Sequence, residues 1–139
     1  MILDRQAIAR LVPHAGAMCL LHEVLEADSQ RIRARAVNHR DADHPLREGG
    51  VLPAICGVEY AAQAMAVHGA TQQAGGARPG MLAAVRDVEL AVQRLDDIPA
   101  DLMVDARCLL NESGRLLYEF QVTANDRELL RGRVTVVTA

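Results

Sequence analysis

Hydrophobic and polar positions follow two rhythms along this chain. From Gly80 onward apolar residues recur at every second place: Leu82, Ala84, Val88, Leu90 and Val92, then Leu102, Val104, Ala106 and Cys108, then Leu116, Tyr118, Phe120 and Val122, and finally Leu130, Val134 and Val136. That spacing sends one side of an extended chain to a core and the other to water, so it predicts strands. Asn111-Glu112-Ser113-Gly114 and Asn125-Asp126 are turn signals that join the last three as an antiparallel meander. Earlier, Arg31, Arg33 and Arg35 alternate with Ile32, Ala34 and Ala36, a half-exposed strand. The preceding run from Ala17 to Ala27 is ambiguous by period alone, and pairing it with this strand makes a hairpin through Asp28-Ser29-Gln30.

Helical signals occupy the rest. Asp4 can cap a short helix from Arg5 to Leu11, with Leu3 stapled onto Ile8, and Pro13 and Gly16 end it. The longest helix is predicted from Pro53 to Ala70, with proline in its first turn and Ala74 to Gly80 (AGGARPG) as its terminator. Asn38 to Val51 is polar and rich in Gly, a long loop of the kind that carries function. One long helix against six or so antiparallel strands is an α+β domain in which the sheet wraps the helix, and a chain of 139 residues forms one such domain. A single helix covers one face of the sheet. The outer face, with Arg86, Arg107, Arg115, Arg131 and Arg133, is expected to be solvated, and a second copy of the chain is expected to close the sheet edges.

Composition narrows the chemistry. Tyr60, Tyr118 and Phe120 are the aromatic residues, so the core must be built from aliphatic side chains and many Ala. The formal net charge is −3 and every basic side chain apart from histidine is Arg, which excludes a general affinity for nucleic acid driven by net positive charge. Cys19, Cys56 and Cys108 stand in apolar runs without a CxxC or His/Cys cluster; they read as reduced packing residues, and neither a metal site nor a cofactor is expected. No secretory leader or membrane-spanning run is evident, so a cytoplasmic location is expected.

The residue that draws attention is Glu59. At helical spacing Ile55, Ala62, Ala66 and Ala70 share its side, which is expected to be the apolar face, while His68 lies opposite, towards the surface. Burying an unpaired carboxylate costs several kcal/mol or raises its pKa, the condition of a general acid at neutral pH. A carboxylate held by an Arg at a dimer interface, or a different helix face, reads the same spacing.

The residues resemble a known family over almost the whole chain. Leu11 to Glu26 (LVPHAGAMCLLHEVLE) is similar to the I-P-H-R-x-P-x-L-L-x-D-R-V segment of the hotdog-fold 3-hydroxyacyl-(acyl carrier protein) dehydratases of the FabA/FabZ type. Leu52 to Ala66 (LPAICGVEYAAQAMA) matches their M-P-G-V-x-x-x-E-A-x-A-Q at Pro53, Glu59, Ala62 and Gln63. Closer still is the subgroup from aryl polyene biosynthesis clusters, whose helix carries G-[IV]-E-Y-x-A-Q, as Gly57 to Gln63 do.

This resemblance implies a hotdog fold and a site formed by a loop histidine of one protomer and the helix acid of the other. Glu59 takes the acid's place. His44 takes the histidine's, one residue further from the acid than in the family and without the Phe-Pro-Gly that usually follows. His44 would then be the base and Glu59 the acid, with amides around Ala54, Ile55 and Cys56 in the first helical turn holding the thioester oxygen. Gln63, one turn on, would orient Glu59 or bond towards the sheet. His39 is the alternative base, His14 and His22 are spare, and Tyr60 is expected to pack.

Three functions are compatible with these residues. The leading one is dehydration of a 3-hydroxyacyl thioester on acyl carrier protein to the trans-2-enoyl thioester, in fatty acid or aryl polyene type biosynthesis, by a homodimer or a heterodimer with a related dehydratase. The others are a non-catalytic partner subunit of a heterodimeric dehydratase and a hotdog acyl thioesterase.

Overall fold

The computed structural model describes residues 2–12, 18–72 and 80–138. In chain order its elements are helix α1 (Arg5–Leu11), strands β1 (Glu23–Ala27) and β2 (Arg31–Ala36), helix α2 (Gly57–Gln72), then strands β3 (Gly80–Leu90), β4 (Leu102–Glu112), β5 (Arg115–Ala124) and β6 (Arg127–Thr138). The six strands form one antiparallel sheet in the order β1-β2-β4-β5-β6-β3. α2 packs across β2, β4 and β5, so the sheet wraps one central helix in the hotdog manner.

Alternation builds β2, β4 and β5 as the sequence requires, whereas on β3 the expected core positions Leu82 and Leu90 are exposed and Val92 lies beyond the strand. Ile32, Ala34 and Ala36 of β2, Leu102, Val104 and Ala106 of β4, and Tyr118, Phe120, Val122 and Ala124 of β5 are buried under α2. The arginines of β2 lie on the other side, as do Arg86, Arg107, Arg131 and Arg133, all four exposed. The predicted turns close the hairpins: Ser113 and Gly114 have φ of 51° and 79°, and Asn125 and Asp126 of 48° and 63°, the left-handed pairs that match strand twist. Asp28 closes the β1–β2 turn by accepting from the amides of Gln30 and Arg31 at 2.8 and 2.9 Å. At α1, Asp4 caps by accepting from the Ala7 amide at 2.8 Å.

Small residues set the distance between helix and sheet. A Cβ on Gly57 would stand 2.6 Å from a methyl of the buried Leu130, so any side chain there would force Leu130 to shift. The predicted helix from Pro53 is divided: Ala54–Cys56 form a 3-10 turn, and the α-helix runs from Gly57 to Gln72. Of the terminators, Pro13 and Gly16 lie outside the described residues, as do residues 74–79, while Gly80 opens β3.

β3 is the end strand beside β6, and no strand pairs with its other edge among the described residues. Leu82, Val85 and Leu90 on it are 43%, 43% and 48% exposed. At Asp87, φ is 53°, and the β3–β6 register shifts between Arg86 and Glu89, a bulge that bends the strand.

Candidate functional site

The long loop between β2 and α2 is held by polar side chains because it has no ladder of its own. Gly49 and Gly50, with φ of 58° and 81°, make a turn in which Glu48 and Val51 exchange two backbone hydrogen bonds of 2.8 and 3.0 Å. Arg47 reaches back from this turn, donating to the carbonyls of Gly50 and Arg40 at 2.7 and 2.8 Å. Asp96 secures the segment entering α2 by accepting from the Leu52 amide at 2.9 Å, and it pairs with Arg94. The Arg94 guanidinium holds the Asp96 carboxyl well below the usual carboxylate range.

His44 is placed by this frame against the first full turn of α2. Its Nδ1 accepts from the Leu46 amide at 3.1 Å, so its proton resides on Nε2, which lies 2.9 Å from the Tyr60 hydroxyl. Tyr60 in turn donates to Oδ1 of Asn38 at 2.6 Å. Both nitrogens of His44 are therefore engaged, and the side chain is buried at 5% exposure. Burial, and next the nearby Arg47 charge, hold the His44 pKa below its ordinary value; burial pushes the Tyr60 phenol well above its own.

Glu59 faces the other way. With Ile55, which is 49% exposed, and Ala66, it forms the side of α2 that the single chain leaves uncovered, with Ala62 half-buried beside them. The spacing therefore groups Ile55, Glu59, Ala62 and Ala66 as expected, but this side is not the core face within one chain, and Ala70 is buried away from it. Apolar residues are spread nearly evenly round α2, so the period alone does not select the buried side. His68, expected at the surface, is the clearest correction. It is 3% exposed, its Nε2 donates to the Asp28 carbonyl at 2.8 Å, and its Nδ1 accepts from the Tyr118 hydroxyl at 2.7 Å.

The remaining site residues are distributed unequally. The Ala54 amide is taken by the Gln93 carbonyl at 3.0 Å and the Cys56 amide by the Pro53 carbonyl at 3.0 Å, which leaves Ile55 as the amide of that turn nearest to a free donor. The Cys56 thiol is half-buried, and burial pushes its pKa up. Gln63 is buried and bonds to the Leu20 amide at 2.9 Å and to the Met18 carbonyl, tying the segment before β1 to α2. His39 is wholly buried with Nε2 3.0 Å from the Ile98 carbonyl, and burial lowers its pKa. His22 is half-buried, and His14 lies outside the described residues. Tyr60, expected to pack, does so and also bonds at its hydroxyl; the signal available in the sequence is that a buried tyrosine hydroxyl must find a partner.

Other features lie elsewhere. A depression of about 1040 Å³ sits on the outer face of the sheet among charges of both signs, including Arg33, Asp105, Glu119 and Arg133. No group of three or more His, Cys, Asp or Glu that could hold a metal occurs among the described residues, and no described helix is long and apolar enough to cross a membrane.

Comparison with known proteins supplies the family. A search of curated proteins finds no match. Among solved structures, a chain of the dehydratase heterocomplex ApeI:P from Xenorhabdus doucetiae superposes with a TM-score of 0.82 at 23% identity, over 95% of this chain and 90% of that one. The thioesterase HI1161 from Haemophilus influenzae gives 0.70 at 13% identity over 100% and 92%, and AziG from S. sahachiroi 0.64 at 17% over 93% and 98%. These likenesses establish the hotdog fold. A family model described as ApeP-like, ApeP dehydratase, matches residues 6–139, nearly the full chain, and the protein accordingly belongs to the ApeP-like dehydratases.

Proposed function

We propose that this dehydratase removes water from a 3-hydroxyacyl thioester carried on acyl carrier protein, giving the trans-2-enoyl thioester in fatty acid or aryl polyene type biosynthesis in the cytoplasm. The observation that carries the reading is the placement of Glu59: a carboxylate in the first turn of α2, on a side of small and apolar residues that the single chain leaves open. At the end of the sheet, β3 has no strand on its other edge among the described residues and exposes Leu82, Val85 and Leu90. A second hotdog subunit packed over this side of α2 would cover the stripe and take Glu59 out of water, which favours its protonated form.

The reaction then divides between two groups. A histidine base removes the proton from C2 of the acyl chain, and the electron pair left there forms the C2–C3 double bond. The C3–O bond breaks as Glu59 gives its proton to the departing hydroxyl, and water leaves. His44 is the base of this reading; its depressed pKa keeps it neutral at pH 7, the form that accepts a proton. The Ile55 amide, at the positive end of α2, is the donor for the thioester oxygen.

A second reading is favoured by one observation. Both nitrogens of His44 are bonded within the chain, which suits a subunit that lends a docking surface to an active hotdog partner. Incubating the purified protein with a 3-hydroxyacyl carrier protein and following loss of water by mass separates the two. Turnover abolished by Glu59→Gln supports the self-sufficient enzyme. An inert chain that becomes active on adding a second hotdog subunit supports the partner role, and release of free thiol without enoyl product points to a thioesterase.

A further inference from the structure

His44, Tyr60 and Asn38 come from three places in the chain: the long loop, the inward side of α2, and the 3-10 turn Asn38–Arg40 after β2. Their bonds have one consistent direction. The Leu46 amide can only donate, so Nδ1 of His44 carries the lone pair and Nε2 the proton. Nε2–H then points at the Tyr60 oxygen 2.9 Å away, and the Tyr60 proton points at Oδ1 of Asn38, which can only accept. Reversing any member would set two donors or two acceptors face to face beside the buried His44 and Tyr60, where water cannot readily replace the lost bond.

We infer that Tyr60 and Asn38 are positioning residues that fix His44 in its Nε2–H tautomer and leave Nδ1 as the single atom of that ring able to take the substrate's proton. The inference rests on the dehydratase reading of His44. It gives the ring a base on one side and a neutral two-member support on the other, where an arriving positive charge would strengthen the bond from Nε2–H to the phenol oxygen. The Leu46 bond, at 3.1 Å the longest of the three, is the one that proton transfer must displace, so the backbone at Leu46 has to move aside during turnover.

Four other titratable groups act on His44: Arg47 and His39 disfavour its charged form, while Asp41 and Asp43 favour it. None of these contributes the bond at Nε2, so changes to Tyr60 and Asn38 are separable from them.

The test reads the ring directly. In the full-length protein labelled with 15N-histidine, His44 is expected to show a protonated Nε2 and an unprotonated Nδ1. Tyr60→Phe should lower the His44 pKa further, because the buried cation loses its acceptor. Asn38→Asp should raise it, by placing an anion behind the phenol. In turnover, the acid limb of the kcat profile should move in the same opposite directions, with kcat in Tyr60→Phe down roughly 10- to 100-fold and KM little changed. A protonated Nδ1, a tautomer mixture, or limbs that do not move overturn the inference. If the wild type eliminates no water at all, the dehydratase reading of His44 fails and the base role with it, while the nitrogen signals still decide whether the hydrogen-bonded relay exists.

Discussion

Replacing His68 by Ala distinguishes a surface histidine from a buried one. The structure gives three separate losses. The Tyr118 hydroxyl, on a side chain 1% exposed, is left without its acceptor, at about 1–3 kcal/mol. The Asp28 carbonyl loses a donor but belongs to an exposed turn where water replaces it, so that loss is about 0.5 kcal/mol. Removing the ring from a buried place costs about 1–2 kcal/mol more in packing, offset by roughly 0.5 kcal/mol of helix propensity gained by Ala. The expected destabilisation is about 3 kcal/mol, equivalent to a fall of roughly 10 °C in Tm. Urea unfolding followed by far-ultraviolet circular dichroism measures it, at one fixed protein concentration because association adds to apparent stability. A double-mutant cycle with Tyr118→Phe should return a coupling of about 1–2 kcal/mol. A change within about 0.5 kcal/mol for His68→Ala, typical of surface positions, or strict additivity with Tyr118→Phe, would refute the reasoning.

Glu59→Gln should abolish loss of water while leaving the unfolding midpoint nearly unchanged, since the side chain is exposed in the single chain; a large stability loss would instead assign Glu59 a structural role. Val85→Asp on the uncovered edge of β3 should weaken self-association, or association with a second hotdog subunit, by at least tenfold in sedimentation experiments, and unaltered assembly would place the interface elsewhere. His39 and His44 both have folded pKa values below the ordinary 6.5, so the unfolded chain binds more protons on acidification. Stability should accordingly be level above about pH 7 and decline as pH falls below 6.5 towards the folded values, with a shallower decline in His39→Gln. A stability profile that rises on acidification through that window contradicts the placement of both histidines.

Much of the sheet was legible because strand periodicity is a strong and local signal. Arg31 to Ala36 alternates without exception, and within the expected turns Ser113-Gly114 and Asn125-Asp126 adopt the left-handed backbone that closes the hairpins. The orientation of α2 was not legible, because a helix with small and apolar residues all round is nearly as apolar on one side as on another and the choice falls to tertiary packing. That is why the spacing groups Glu59 with Ile55, Ala62 and Ala66 yet does not say that this side is uncovered within one chain, and why His68 is expected in solvent and is found buried. Gln63 was expected to bond towards Glu59 or the sheet, and instead it anchors Met18 and Leu20, far away in sequence. The His44–Tyr60–Asn38 chain escaped for a related reason: it joins a loop, a helix and a 3-10 turn, and no periodicity links residues brought together by a loop's path.

The uncovered edge of β3 has an evolutionary consequence. Leu82, Val85 and Leu90 are exposed on it, while the carboxylate sits on α2, a different element. On the proposed pairing, substitutions along the strand change which subunit covers Glu59 while Glu59 itself stays in place, so gene duplication followed by drift at edge positions offers a route from pairing of like copies to pairing of unlike ones. In such a lineage the companion also sets what surrounds Glu59, so the choice of partner and the chemistry are inherited together.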